Sequence, residues 1–221
     1  MQATLGIRRL MKWLWLVMAG LVGIHVLLTV VHFQMVELPW YLRQIFDVDE
    51  EDSFPTWFSA FGLLLTSVVL WVQARRQHTA ASPWRWHWSG LALGFLVLSI
   101  DEIAGMHETL NSVIEQSWAV PGVIVVALMG GIYLSFLAQL DRRTAVWFAI
   151  AGALYVGGAV GVEYYTEPYL KNDALNTLAY NLWTAVEEGM EMAGVLLFLS
   201  ALLRHMKAGA AALPLEFKLV D

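Results

Sequence analysis

Gly90-Leu-Ala-Leu-Gly-Phe-Leu-Val-Leu-Ser-Ile-Asp101-Glu-Ile-Ala-Gly-Met-His-Glu108 decides how this chain is read. An apolar run leads straight into Asp101, Glu102, His107 and Glu108, with no lysine or arginine among them. An ionised carboxylate in hydrocarbon costs roughly 2.5 kcal/mol or more, so acids in such a run face an interior cavity and keep a partner. Either some of them hold protons, or something cationic sits among them.

Similar runs recur over residues 13–33, 56–74, 87–112, 120–140, 144–165 and 176–203. Each is about 20 residues long, the length that crosses a hydrocarbon core of about 30 Å. The composition agrees: 58% of the 221 residues are hydrophobic and 14% charged, against about 25% charged in a soluble domain. Mean hydropathy is +0.59. The expected fold class is all-α: one polytopic membrane domain over residues 1–221, with six transmembrane helices. Glu163 lies in the fifth run, and Glu187, Glu188 and Glu191 lie in the sixth.

Charge placement orients the expected bundle. Arg8, Arg9, Lys12, Arg75, Arg76, Arg85, Arg142, Arg143, Arg204, Lys207 and Lys218 fall on one side of the six spans, and Arg43 and Lys171 on the other. Basic residues gather in the cytoplasm, so both termini are expected there and the acids in the outer, periplasmic half. The run after Lys12 is longer than a signal-peptide core and lacks an A-x-A-like cleavage site, which fits an uncleaved anchor. There is no cysteine, so thiolate metal sites and disulfides are excluded. The net charge of -6 and the placement of the bases point away from nucleic acid. Trp13, Trp15, Trp84, Trp86 and Trp88 cluster near the expected cytoplasmic ends, where indole rings anchor helices.

On a helix turning 100° per residue, Asp101 and Glu108 share one face, with Ala104 and Gly105 between them. His107 flanks one edge of that face and Glu102 the other, so Glu102 is expected in a different contact. In the sixth run, Glu187 and Glu191 stack four apart, and Glu188 lies a quarter-turn away. From an entry near residue 87, Asp101 lies about 20 Å deep and Glu108 about 30 Å. His25, His32 and Glu163 fall in the same half of the membrane, so a pocket opening to the periplasm is expected.

Carboxylates and a histidine projecting from facing helices are how helical bundles hold paired metals. Asp101, His107, Glu108, Glu187 and Glu191 form the expected metal set, with Glu102, Glu163, Glu188 and His25 as secondary candidates. Iron, manganese or zinc suits such ligands. The structural alternative is a network of acids that raise one another's pKa and share protons. The standard Glu-x-x-His motif is absent, and so is the zincin His-Glu-x-x-His, since position 111 is Asn111.

Three further patterns stand out. Asp47-Val-Asp-Glu-Glu-Asp52 lacks the glycine and glutamate of an EF-hand loop, whose sixth and twelfth places are held by Asp52 and Phe58, and reads as a solvated acidic loop. Gly90 with Gly94, and Gly157 with Gly161, mark expected close helix contacts. The third and sixth runs carry their acids at corresponding places, as two inverted three-helix halves would.

The segments Leu98-Ser-Ile-Asp-Glu-Ile-Ala-Gly-Met-His-Glu108 and Val186-Glu-Glu-Gly-Met-Glu-Met-Ala-Gly194 resemble a group of uncharacterised multi-pass bacterial inner-membrane proteins with Asp-Glu…His-Glu and Glu-Glu…Glu helices. The resemblance covers under a quarter of the chain. It implies a bacterial inner-membrane location and carries no activity or site residues with it. Three functions stay open. One is a metal-dependent enzyme acting on a lipid or isoprenoid substrate that enters laterally from the bilayer. The second is a cation- or proton-coupled transporter. The third is an accessory subunit, within a homo-oligomer or a larger membrane complex.

Overall fold

Among the residues that the computed structural model describes (6–106, 109 and 119–209), all regular structure is helical. The elements are α1 (Ile7–Gln34), α2 (Trp40–Phe46), α3 (Phe54–Thr79), α4 (Arg85–Ala104), α5 (Ala119–Gln139), α6 (Arg142–Val156), a π-helical stretch (Gly157–Val162), α7 (Glu163–Lys171) and α8 (Leu178–Ala208). Short polar side chains set the starts. Ser53 accepts from the Thr56 amide at 3.2 Å, Asp141 from Thr144 at 3.0 Å and Thr177 from Tyr180 at 3.3 Å. Each satisfies an amide that the first turn leaves unpaired.

Four helices are long and apolar enough to cross a membrane: Ile7–Gln34, Phe54–Thr79, Pro121–Gln139 and the continuous run Arg142–Lys171. They correspond to the first, second, fourth and fifth expected spans. The third and sixth correspond to α4 and α8, the helices that carry the acids, and these are not among the four.

The third run departs from expectation at its end. A single helix over 87–112 was expected to align Asp101 with Glu108. Instead α4 stops at Ala104, and Gly105 takes a left-handed conformation at φ 53°. Glycine adopts that conformation without steric cost and so ends the helix. The Glu51 carboxylate lies where a side chain at position 105 would go. The helical face that Asp101 begins therefore ends at Ala104.

α8 sits at the centre of the bundle and contributes to both apolar clusters. In one, Trp88, Phe136, Phe148 and Phe198 pack together, with Trp88 against Phe136 at 5.0 Å and Phe148 stacked on Phe198 at 4.1 Å. Trp88 thus belongs to the core at 2% exposure, whereas Trp13 and Trp86 are exposed as interface anchors would be. Its ring also lies 5.5 Å from that of His205. In the other cluster Met11, Leu14 and Phe58 meet Met192, Leu196 and Leu199. Ser67 and Ser99 donate across to the carbonyls of Ala92 and Ala60, at 2.7 and 2.9 Å, and stitch α3 to α4. Such bonds are worth about 0.6 kcal/mol each inside a membrane.

The glycine patterns hold in part. Gly90 faces the Tyr133 hydroxyl, but Gly94 and Gly161 face open space. The close approach of α6 to α8 is made by Gly157, Gly158 and Gly194. A π stretch turns more slowly than an α-helix, so it displaces the face that a four-residue spacing predicts. Gly158 through Val160 are accordingly buried.

Candidate functional site

Thr177 starts α8 so that Tyr180, Thr184, Glu187, Glu188 and Glu191 follow within about four turns. Glycines then decide how closely α6 and α8 approach there. A Cβ at Gly158 would lie 2.7 Å from the Glu187 carbonyl oxygen and 3.0 Å from Glu191 Cγ. A Cβ at Gly194 would lie 2.8 Å from the Ala151 carbonyl oxygen and 2.9 Å from the Tyr155 nitrogen. One glycine on each strand of this contact therefore brings Glu191 against Tyr155. Glu191 is 8% exposed, and its carboxylate lies near enough to the Tyr155 hydroxyl for the two to interact electrostatically.

Acids from α4, α7 and α8 act on this pair, and one from a loop acts on its neighbours. Glu102 at the end of α4 acts electrostatically on Glu188, Glu191 and Tyr155. Glu163, in the first turn of α7, acts on Glu187 and Glu191. Asp49, in the loop between α2 and α3, acts on Glu187 and Glu188 and accepts from the Tyr180 hydroxyl at 3.1 Å. The result is a file of carboxylates from exposed Asp49 to buried Glu191. From Tyr180 to Glu191 it covers about 16 Å of helix axis. Like charges at this spacing repel, and the repulsion is relieved by shared protons or by a cation.

His25 fastens the loop over that file. Its Nε2 lies 3.1 Å from the Asn181 carbonyl oxygen, and its Nδ1 accepts from the Val48 amide at 3.3 Å. Asp47 Oδ1 lies 3.3 Å from the same Nδ1. This histidine joins α1, the loop and α8 and is 3% exposed. The Thr56 hydroxyl donates to the Glu50 carbonyl at 2.8 Å and pins the loop's far side. The acidic loop, read from sequence as a solvated one, keeps Asp49 and Asp52 exposed, yet it is anchored at Val48, which is 2% exposed. His32 sits beside Arg43, 2.7 Å away, and accepts from the Leu38 amide at 3.0 Å, which fixes the turn into α2.

Asp101 and Glu102 part company, as adjacent helical residues must. Glu102 joins the α8 acids, whereas Asp101 lines a cavity of about 960 Å³ between α4, α5 and α6. Its walls are apolar, with Leu98, Val126, Met129, Val156 and Phe198 among them. Among the described residues, the polar lining groups are Asp101, Thr109, Tyr133 and Tyr155. Tyr155 thus touches both the acids and the cavity.

Of the expected metal set, Glu187 and Glu191 interact electrostatically with the secondary candidates Glu102 and Glu163, with Glu188 beside them on α8, and Asp101 lies on the cavity side. His107 and Glu108 lie outside the described residues, as does Glu115. Among the described residues, no three His, Asp or Glu side chains stand together as a metal-holding group. Sequence reasoning missed Asp49 and Tyr155. Tyr155 carried one faint signal, a hydroxyl in an apolar run just before a glycine pair.

A family model described as Domain of unknown function (DUF8692) matches residues 13–206 of the chain. No curated protein and no solved structure matches it.

Proposed function

For this chain, which belongs to the DUF8692 family, we propose a six-span protein of the bacterial inner membrane that binds a divalent cation at its carboxylate file. In this reading α4 and α8 complete the span set, the arginine-bearing ends lie in the cytoplasm and the acidic loop faces the periplasm. One arrangement carries it: α8 sets Glu187 and the buried Glu191 against Gly158, Tyr180 two turns further out donates to Asp49, and Glu102 and Glu163 lie near enough to act on these acids. The file ends at Glu191. The buried α8 positions beyond Glu191 are apolar or glycine: Met192, Gly194, Val195, Leu196, Phe198 and Leu199. A path that is polar from one end and closed at the other suits a bound, working ion more than a through-channel.

The ion would be iron, manganese or zinc, held by carboxylates with Asp101, His107 and Glu108 as further candidate ligands. It would activate water or oxygen for attack on a lipid-like substrate. A cation- or proton-coupled transporter is the second reading, favoured by the linear order of the acids and their exposed start at Asp49. Elemental analysis of protein in detergent, before and after chelation, tests the first. The expected result is one or two equivalents of metal, lost in Glu191→Gln and Glu187→Gln while both remain helical. Full metal retention in both variants overturns the site. Cation-driven flux in liposomes, without tightly bound metal, moves the assignment to transport.

A further inference from the structure

We propose that the cavity between α4, α5 and α6 binds the chain of a single-tailed amphiphile whose head donates hydrogen bonds, an alcohol or an amine, and presents that head to Asp101 and the Tyr155–Glu191 pair. This deepens the reading of the acid file as a reactive site by naming what lies beside it. At about 960 Å³ the cavity is at the upper end of ligand-pocket sizes. Its long wall on α4, from Leu91 to Asp101, covers about 15 Å.

The polarity is graded along that wall. Asp101, Thr109 and Tyr155 lie toward the end where α4 stops, whereas the opposite end is closed by Phe136, Leu137 and Tyr133. The Tyr133 hydroxyl donates to the His87 carbonyl oxygen at 3.0 Å, as the Thr109 hydroxyl does to the Gly105 carbonyl oxygen at 3.0 Å. Along the described lining a ligand meets a carboxylate and hydroxyl oxygens at the acidic end and mainly hydrocarbon elsewhere. The side walls admit a chain because they lack side chains in part: a Cβ at Gly130 or Gly152 would meet nothing within 4 Å. Val97, Val125 and Met129 line the cavity and remain exposed, so it opens sideways toward the surface that lipid would cover.

Charge selects the head. Among the described residues, the acceptors at the polar end are the Asp101 carboxylate and, beside Tyr155, the Glu191 carboxylate. A hydroxyl or ammonium group donates to such groups, whereas a phosphate would add negative charge to a cluster that already repels itself. The major membrane lipids are thereby disfavoured, and a neutral or cationic head is preferred.

The test uses the full chain in phosphatidylcholine nanodiscs and a diazirine-bearing dodecanol, with cross-links mapped by peptide mass spectrometry. Labelling is expected on the peptides holding Leu98, Met129 and Gly152, and competed by dodecanol and dodecylamine but not by dodecyl phosphate. Gly152→Leu projects into the cavity from a position where a Cβ meets nothing within 4 Å and lowers this labelling about ten-fold, while labelling of Leu27 and Val30 on α1 stays unchanged. Gly130→Leu is the second filler, should Gly152→Leu fail to fold. Asp101→Asn keeps the chain but loses the preference for amine over phosphate. Even labelling of α1 and α5 that neither filler changes overturns the proposal, because it is bilayer contact only. Equal competition by dodecyl phosphate overturns the head assignment. Metal content is read on the same samples: lost labelling with metal kept in unmodified protein breaks this inference alone, and lost metal with labelling kept breaks only the reading of the acid file.

Discussion

From Asn181 to Glu191, α8 sets three carboxylates against a glycine-lined stretch of the neighbouring helix; from Met192 to Leu202, its buried side chains are methionine, valine, leucine, phenylalanine and alanine. Both halves pack on the α6 strand of the bundle, yet they contribute differently. The second half joins the clusters around Trp88 and Phe58, which hold the large apolar contacts. The first half gains close backbone approach at Gly158 and places mutually repelling groups there. Fold stability and site chemistry are therefore separated along one helix. Sites that break the packing rules are sustained by rigid structure elsewhere.

The largest effect that tests this separation is Trp88→Ala. Truncating a fully buried tryptophan costs about 3–5 kcal/mol, which thermal unfolding in detergent would register as a large drop in Tm. Metal content per folded molecule is expected to stay constant, because Trp88 touches none of the acids. A proportionate loss of metal would show that the halves are coupled.

Next come the two glycines at the α6–α8 contact. Gly194→Ala and Gly158→Ala each force a Cβ within 3 Å of backbone atoms, and overpacking of this kind costs about 1–3 kcal/mol. Their stability losses are expected to be similar and their effects on the site different. Gly158→Ala presses directly on Glu191 Cγ and the Glu187 carbonyl, so it should lower metal content more than Gly194→Ala does. Equal loss in both would mean that helix separation, and not the placement of Glu191, governs binding.

Smaller and opposite in sign is Glu191→Gln. With metal removed, replacing one of several repelling acids is expected to raise stability by about 0.5–2 kcal/mol, the usual gain when a functional strain is relieved. With metal supplied, the wild type should regain the advantage through binding. A destabilised Glu191→Gln under both conditions would assign Glu191 a structural role with Tyr155.

How far these features could be read from sequence follows from their range. The helices were legible because each apolar run is long enough to be a span by itself; their starts at Ser53, Asp141 and Thr177, which act on amides three residues away, lie outside what an apolar run marks. The stacking of Glu187 and Glu191 followed from helical period alone. The end of α4 was misread because a glycine in Ala-Gly-Met fits a helix interior as well as a stop, and the choice shows only in the left-handed turn of Gly105. The parts played by Tyr155, Asp49 and Glu102 were not legible for another reason. They depend on which helix lies opposite, and the π stretch before Glu163 shifts that register in a way residue spacing does not reveal.

The smallest predicted effect lies at the far end of the bundle, away from the acids. Asp141 caps α6, and hydrogen bonds from the Thr144 side chain and backbone, with a lesser part from His205, hold its carboxyl below the usual range. A carboxylate whose folded pKa is depressed stabilises the fold above its unfolded pKa, about 4, and loses that contribution as pH falls through the folded value. Asp141→Ala is therefore expected to cost about 1 kcal/mol at neutral pH, the ordinary value of a helix cap. The gap from wild type should close as the solution is acidified below pH about 4. His205, whose Nδ1 lies 3.4 Å from Asp141 Oδ2, adds little because the pair is exposed. His205→Gln should accordingly leave the acid midpoint of the gap almost where it was. A large shift of that midpoint would give the His205 pair, and with it the stacking of His205 on Trp88, a larger share of this end's stability than capping.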